Sequence, residues 1–507
     1  MFSKKRLIIW VKIFYQLNQN QMNYISKQDR ASILLFPVNL CDYKPYDEKI
    51  LVIVKFIEGL KLNELGFSRT EKSSSTQGRP QYPAKEMLML YLYGYVNGMR
   101  SSRSLEKLTY KDLDLRWLLG NLHPDHKTIS NFLKENDKAV KNLFKAMVMF
   151  LKEADLIDGK LLVCDGTKYR ANASNRKSLA KEMIEEELNK NVRELENYLE
   201  EIADDPEEEN KKPKVDLTRL TDKDAKEKIK RLHKKVADAQ RAKLEMEENK
   251  RKRVNLTDPK SRSMLTSEGV FPSFNQQIVV DSKKHFIVVE EVITEENDYH
   301  QLNNLIDKSR EVLPEAEKMA ADAGYYNGPD MVAAEGKIDY YVALNKSTTA
   351  HAKGFSYDRE RDIYICPQGK EMIFFKYDNW NGRKFRAYGK IDCRQCPLRT
   401  SCVDNRRVHK VIWRYIYEDV MERHREKVLQ PSGQKIIKRR KAVVEHVFGS
   451  IKMKAGKTPL LRRGLLNARV EGTLHCLSYN FIRLINVLPC KDILSIFDSY
   501  KIKLALR

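Results

Sequence analysis

The chain has little of what several protein classes require. No stretch approaches the ~18 to 20 consecutive apolar residues of a membrane-spanning helix, and 32% of the residues are charged. A multi-span membrane protein is therefore excluded. Only 8 cysteines are spread over 507 residues, too few for a disulfide scaffold. A reducing, cytoplasmic compartment follows. Negative charge is also short: 70 Asp and Glu stand against 93 Lys and Arg, a net charge of +23. Such an excess favours a polyanionic partner, and phosphate backbones are the commonest. At the N-terminus the apolar run Leu7-Ile8-Ile9-Trp10-Val11 stops at Lys12, and no small-residue cleavage site follows. That is too short for a secretory signal. Residues 1–40 read as a basic extension, with Met22 as a second candidate start.

What is present suffices for cores. The hydrophobic fraction is 42% over a length that suits roughly three domains, so a wholly disordered chain is excluded. Residues 41–157 read as helical. Ile50, Val54, Ile57 and Leu60 recur at helical spacing. A second helix starts at Pro83, and Gly120 reads as a helix stop. Short helices with exposed Arg, Lys, Ser and Asn suit a helix-turn-helix-like DNA reader.

At Lys160 the period changes. Leu161-Leu162-Val163-Cys164 reads as a buried strand ending at Asp165-Gly166-Thr167. Residues 177–250 are rich in Glu and Lys with almost no aromatics. Their apolar seams, Leu188-Leu195-Leu199 and Ala225-Ile229-Leu232-Val236-Ala239, predict a helical hairpin inserted in the next domain. Gln277–Asp281 and Phe286–Val289 read as a strand hairpin. A helix follows through Leu302, Leu305 and Ile306, then a strand at Lys318–Asp322 and another at Tyr340–Val342. Residues 346–410 read as an irregular, cysteine-containing insertion. Helix returns from about 415 to 486, and 491–507 form a tail. Segments 158–345 and 411–490 thus make one α/β domain, a mixed sheet flanked by helices.

Three acids stand out. Asp165 and Asp322 each end an apolar strand beside a glycine, where side chains project into a crevice. Glu445 lies beside the apolar helix face of Val444, Val447, Phe448 and Ile451, and a carboxylate near a core needs a partner. Three hard oxygen donors suit Mg²⁺ or Mn²⁺. Two such ions about 4 Å apart activate a water and stabilise a leaving oxygen at phosphorus. Separately, Cys366, Cys393, Cys396 and Cys402 supply four thiolates able to close a structural zinc site. Reduced cysteines in a loop are the rival reading. Arg394, Arg399, Arg406 and Arg407 nearby suit DNA backbone contact. Cys41, Cys164, Cys476 and Cys490 read as packing residues, His126 and His475 as structural. Asn297, Asp298 and Gln301 read either as neighbours of the metal site or as a loop cap, with the cap favoured.

These motifs carry a resemblance. Asp165-Gly166-Thr167-Lys168-Tyr169-Arg170-Ala171-Asn172-Ala173 resembles the first-aspartate motif of bacterial DDE-type insertion-sequence transposases. Ala321-Asp322-Ala323-Gly324-Tyr325-Tyr326 resembles their second. Arg439-Arg440-Lys441 with Val444-Glu445-His446-Val447-Phe448-Gly449-Ser450-Ile451-Lys452 is similar to their glutamate motif. Asn255-Leu256-Thr257-Asp258-Pro259 is similar to the segment re-entering the catalytic domain, and Tyr82–Phe132 to the helical N-terminal domain. The resemblance implies a ribonuclease-H-like catalytic core holding two Mg²⁺ ions on Asp165, Asp322 and Glu445. It implies cleavage at the element's ends and strand transfer to target DNA, with a homodimer when ends are paired and a nucleoid-associated location. Lys168, Arg170, Arg439, Arg440, Lys441, Lys452, Arg462 and Arg463 are the candidate DNA contacts. The chain departs from the family's Tyr, Arg, Glu, Lys signature at Lys438 and Lys441, where Tyr and Arg are expected. Lys lacks the bidentate fork of Arg. Two alternatives stay open here: an inactive DNA-binding descendant, and a nuclease of the same fold without strand transfer.

Overall fold

Proline and aspartate set the boundaries of the N-terminal helices. The structure, a computed structural model, describes residues 48–68, 81–201, 223–344, 354–389, 392–403, 407–456 and 458–499. The extension 1–40, Cys41, Arg406, Pro206 and Pro213 lie outside them. Helix α1 (Lys49–Glu58) buries Ile50, Ile53, Phe56 and Ile57. Pro83 holds an extended backbone before α2 (Ala84–Val96), fixing where that helix starts. Every residue of α2 from Met87 to Val96 is buried, so it is the centre of its layer. Asp112 ends α3 (Ser102–Lys111) and accepts from the Leu115 N–H to cap α4 (Leu113–Leu118). Asp125 accepts from the Lys127 and Thr128 N–H groups at the start of α5 (His126–Glu135). Helix α6 (Asp137–Glu153) follows and buries nine side chains.

The main sheet begins with β1 (Leu162–Arg170). A short strand β2 (Ser178–Leu179) leads into α7 (Lys181–Glu201), and α8 (Lys223–Glu248) packs back along it. Ile184, Leu195, Ile229, Leu232, Ala239 and Ala242 form the buried seam. Strand β3 (Val254–Asn255) pairs β2 and closes this excursion. Then come β4 (Arg262–Thr266), β5 (Gly269–Asp281) and β6 (Ile287–Ile293). Helix α9 (Leu302–Val312), β7 (Lys318–Ala321), α10 (Gly328–Ala334) and β8 (Asp339–Val342) complete the unit. The strand order is β4-β5-β1-β7-β8, with β6 also on β5. Strands β6, β5 and β1 run antiparallel, and β1, β7 and β8 run parallel. The architecture is a mixed α/β layer, as the sequence pattern predicts.

The sheet does differ from expectation at β1. The strand does not end at Asp165 but runs on to Arg170, because the 13-residue β5 pairs it along its whole length. Its other neighbour, β7, pairs only Leu162 and Val163. The strand continues on one edge and opens on the other.

The described residues 354–389 are not irregular, whereas 392–403 hold only turns and one short helix. Strands β9 (Ser356–Asp358), β10 (Ile363–Ile365), β11 (Glu371–Trp380), β12 (Arg383–Gly389) and β13 (Ile412–Tyr415) form an antiparallel sheet in the order β13-β12-β11-β10-β9. The pattern hid it because one face stays wet. Tyr377 is 53% and Trp380 72% exposed on β11, so no apolar alternation marks the strand. A short helix α11 (Arg399–Cys402) precedes β13. The chain ends in α12 (Glu418–Leu429), α13 (Pro431–Ala455), α14 (Leu465–Val487) and α15 (Cys490–Ser499). Helix α13 packs on β1, β7 and β8, and α14 on β6 and α6. Phe481, Phe56, Phe497 and Phe150 meet in series, edge-on, tilted and stacked in turn, where α14, α1, α15 and α6 come together. One core therefore runs from the helical layer into the sheet. Among the described residues, no helix is long and apolar enough to cross a membrane.

Candidate active site

Parallel pairing brings two of the three predicted acids together. The register matches Leu162 with Met319 and Val163 with Ala320. Two places further on in that register stand Asp165 and Asp322, just past the last paired residues. Asp322 caps a short turn of helix and accepts from the Gly324 N–H at 2.8 Å. Asp165 accepts from the Gly166 N–H at 2.8 Å. Burial raises Asp165 to about 6, with Asp322 adding to the rise and the Gly166 N–H and Arg440 opposing it. Asp322 is also raised, first by burial. Carboxylates crowded in this way favour either a proton or a cation between them.

Helix α13 supplies the counter-charge. The Arg440 guanidinium donates to Asp165 at 3.3 Å, and its side chain is only 11% exposed. Arg440, Val443, Val444, Val447 and Ile451 make the buried face of the helix. At about 100° per residue, Glu445 falls about 140° away from Arg440, on the exposed side. The sequence pattern predicts it nearer the core, but the helix turns it to the exposed side. Lys452 lies within about 20° of Glu445. Burial of its ammonium lowers the Lys452 pKa, and Asp165 acts against that shift. Asp165 is thus in the field of residues on both sides of Glu445 along the helix.

A further acid stands here, at the less favoured of its two sequence readings, as a neighbour of the site and not a mere loop cap. Asp298 accepts from the Asn275 amide at 2.8 Å and from the Gln277 amide. Lys168 reaches it at 3.7 Å. Successive strand residues face opposite ways, so Asp165 looks toward α13 while Gly166 and Lys168 look toward Asp298. Asn275 and Gln277 pair with Lys168 and Gly166 across β5 and β1. Two buried amides two residues apart on one strand face demand a polar partner, and that pair was the legible signal. Tyr325 donates to the second face of the Gln277 amide. A methyl group on Gly166 would run into the Gln277 amide and the Asp298 carboxylate. We expect Gly166→Ala to fold and bind DNA but to cut about a hundredfold more slowly, the cost of a misplacement of about 1 Å. Parallel binding and cleavage gels measure it, and an undiminished rate would take Asp298 out of the site.

The remaining candidates are dispersed. Arg170 pairs with Glu268 at 2.7 Å and covers the Phe271 ring. Arg439 donates to the Ser282 carbonyl, and Lys441 is exposed. Arg462 donates to the Ser130 carbonyl on α5 and Arg463 to the Asn172 carbonyl. Asp258 of the re-entry segment accepts from the Gly464 N–H at 2.9 Å, tying that loop to the same edge. His446 sits 2.7 Å from His285. His475 is buried and pushed down to about 3, and His126 pairs with Glu106. Cys164 and Cys476 are fully buried. Cys366, Cys393, Cys396 and Cys402 all line one pocket beside the second sheet. As the side chains stand, no three His, Cys, Asp or Glu among the described residues converge enough to hold a metal ion. The donors at Asp165 and Asp322 nonetheless fit a hard divalent cation, being all oxygen, paired and mutually repelling.

Two family models match the chain. One, described as a transposase DDE domain, spans residues 365–485. The other, described as a transposase domain (DUF772), spans residues 39–135. No curated protein matches. A cryo-EM structure of a piggyBac transposase synaptic complex with hairpin DNA aligns at TM-score 0.29 and 9% identity, over 90% of this chain and 78% of that one. That likeness is too distant to bear on the fold.

Proposed function

We infer, for a chain that is a DDE-type insertion-sequence transposase by its two transposase domains, that Asp165, Asp322 and Glu445 carry out its DNA cleavage and strand transfer. The observation that carries this reading is the nearness of Asp165 and Asp322 just past the last paired residues of β1 and β7, close enough for the Asp322 charge to act on Asp165, with Arg440 of α13 bound to the first. The strand order supports a ribonuclease-H-like core: β6, β5 and β1 antiparallel, β7 and β8 parallel beside them, and a long helix laid across, with β4 added at the edge of β5. Arg440 and Lys452 bracket Glu445 along α13, which supports placing the third carboxylate at the level of Asp165.

When bound, two Mg²⁺ or Mn²⁺ ions would activate the attacking oxygen and stabilise the leaving one. Asp165 and Asp322 would hold them, with Glu445 completing the set. Arg440 orients Asp165 and keeps its charge compensated. Asn275 and Gln277 fix Asp298, which keeps the Lys168 ammonium beside the acids. Lys452, Arg439, Lys441, Arg462 and Arg463 present cations along α13 and the loop after it, suited to the phosphates of a terminal repeat. Helices α3 to α5 would read the repeat, and the α7–α8 hairpin would serve as an arm to DNA or to a second copy in a homodimer.

The test uses the full chain and labelled DNA from the ends of its own element. Metal-dependent nicking at the element boundary is expected, followed by joining of a precut end to target DNA. Cleavage without joining would reduce the activity to that of a nuclease. Binding without cleavage in either Mg²⁺ or Mn²⁺ would remove the catalytic reading.

A further inference from the structure

The second sheet has a weak core for its size. Its buried cluster is Tyr364, Cys366, Met372, Tyr388, Cys393, Val403 and Ile412, with Phe355, Tyr357 and Cys402 packed at its edge. Three of these ten are cysteines. One face of the long β11–β12 pair lies open to solvent. The described residues 392–403 contain no strand, only turns and the four-residue α11. Small units with so little apolar burial need a covalent or metal staple.

The four cysteines converge on this weak point from three directions. Cys366 opens a tight turn: its carbonyl accepts from the Gly369 N–H at 2.8 Å, and its N–H donates to the Lys370 carbonyl at 2.9 Å. Cys393 and Cys396 bound a second turn, in which the Cys396 N–H donates to the Cys393 carbonyl at 3.3 Å. Cys402 ends α11, whose first N–H, on Arg399, donates to the Cys396 carbonyl at 3.0 Å. All four side chains line one pocket with Lys370, Arg399 and Lys410 at its wall.

We propose that Cys366, Cys393, Cys396 and Cys402 bind one structural Zn²⁺ that fastens the 392–403 segment to the β9–β13 sheet. Two tight turns and a helix end each offer thiols to a common pocket, as closed tetrahedral zinc sites require. A four-thiolate zinc centre carries a net negative charge, and Lys370, Arg399 and Lys410 stand where that charge would form. The thiols do not yet meet at one point, so loading turns them inward and displaces their protons. The site is remote in kind from the acid cluster, which offers only oxygen.

Zinc per chain is measured by mass spectrometry on the full-length protein, grown with zinc and purified without chelator. One equivalent is expected, released when a mercurial blocks the thiols. Cys402→Ser is expected to lose it, and Cys402→His to keep it, since imidazole replaces thiolate as a ligand. Cobalt loading should give the absorption of a tetrahedral thiolate centre. Zinc-free wild-type protein, with its thiols either reduced or joined in disulfides, would overturn the proposal. So would zinc that stays bound in both Cys366→Ser and Cys402→Ser. Neither readout depends on DNA cleavage, so failure here leaves the catalytic reading standing.

Discussion

Asp165→Asn and Asp322→Asn, each in the full chain, are expected to bind terminal DNA as the unaltered protein does and to cut it on the order of 10³-fold more slowly. The size follows from the chemistry. Metal-held charge at a phosphoryl transition state contributes several kcal/mol, and each 1.36 kcal/mol is tenfold in rate. An amide keeps the shape of the carboxylate and can still accept from the Gly166 or Gly324 N–H, so folding is spared. It also removes a charge that burial first, and the neighbouring carboxylate second, disfavour. Asp322→Asn should therefore be at least as stable to urea as the unaltered chain, whereas Asp165→Asn also takes the anion away from the buried Arg440 and should lose some stability. A variant that cuts normally would show that its carboxylate holds no essential ion.

The same series decides which acid is third. Glu445 lies on the exposed side of α13, whereas Asp298 is fixed by two amides and a lysine. Glu445→Gln is expected to fall as far as the two aspartate variants. Asp298→Asn keeps its acceptor oxygen and loses only charge, so a tenfold to hundredfold loss is expected, the usual range for groups that support metal ligands. The reverse ranking would transfer the role of third ligand to Asp298.

The elements that position this site were mostly legible because they bury apolar residues in regular patterns. Leu162, Val163 and Cys164 mark β1, and Val443, Val444, Val447 and Ile451 mark α13. Both patterns follow directly from burial. Three things were hidden. The second sheet leaves β11 wet on one face, so its strands rest on ladder bonds and aromatic pairs such as Tyr364 with Tyr388. Arg440 was read as a DNA contact, since nothing in a run of basic residues marks the one that turns inward to Asp165. Asp298 lies 133 residues from Asp165 in the chain, is held by the β5 amides, and adds its charge to those of Asp165 and Asp322. Long-range partners of this kind have no local signature.

Glu471 was the largest omission, and it gives the largest expected effect on stability. It sits within the buried run of α14, and its side chain is 1% exposed. Arg100, between α2 and α3, donates to it at 3.0 Å, and the Leu461 N–H donates to both of its oxygens. Arg100 also donates to Thr458. The pair thus fastens the helical layer to the loop between α13 and α14. The same loop bonds β1 through the Leu460 N–H and the Arg170 carbonyl at 2.8 Å. Arg100→Ala would leave a carboxylate buried without its cation, at a cost of about 3 to 5 kcal/mol. Arg100→Met combined with Glu471→Gln removes both charges and keeps an acceptor for Leu461. Its loss should be well below the sum of the single losses in urea unfolding. The pH dependence has a definite sign. Burial raises Glu471 above its ordinary value, with Arg100 opposing. Removing Arg100 raises it further, so the folded chain then binds a proton over a pH range where the unfolded chain has released it. Stability there falls as pH rises. The deficit of Arg100→Ala should therefore shrink on acidification toward the ordinary glutamate range. His475, 4.0 Å away, is pushed down first by burial, which the substitution leaves in place, and only second by Arg100. A deficit that stays constant across that window, or single losses that simply add, would mean that Arg100 and Glu471 do not act as a pair and that the loop beside β1 is held by its backbone bonds alone.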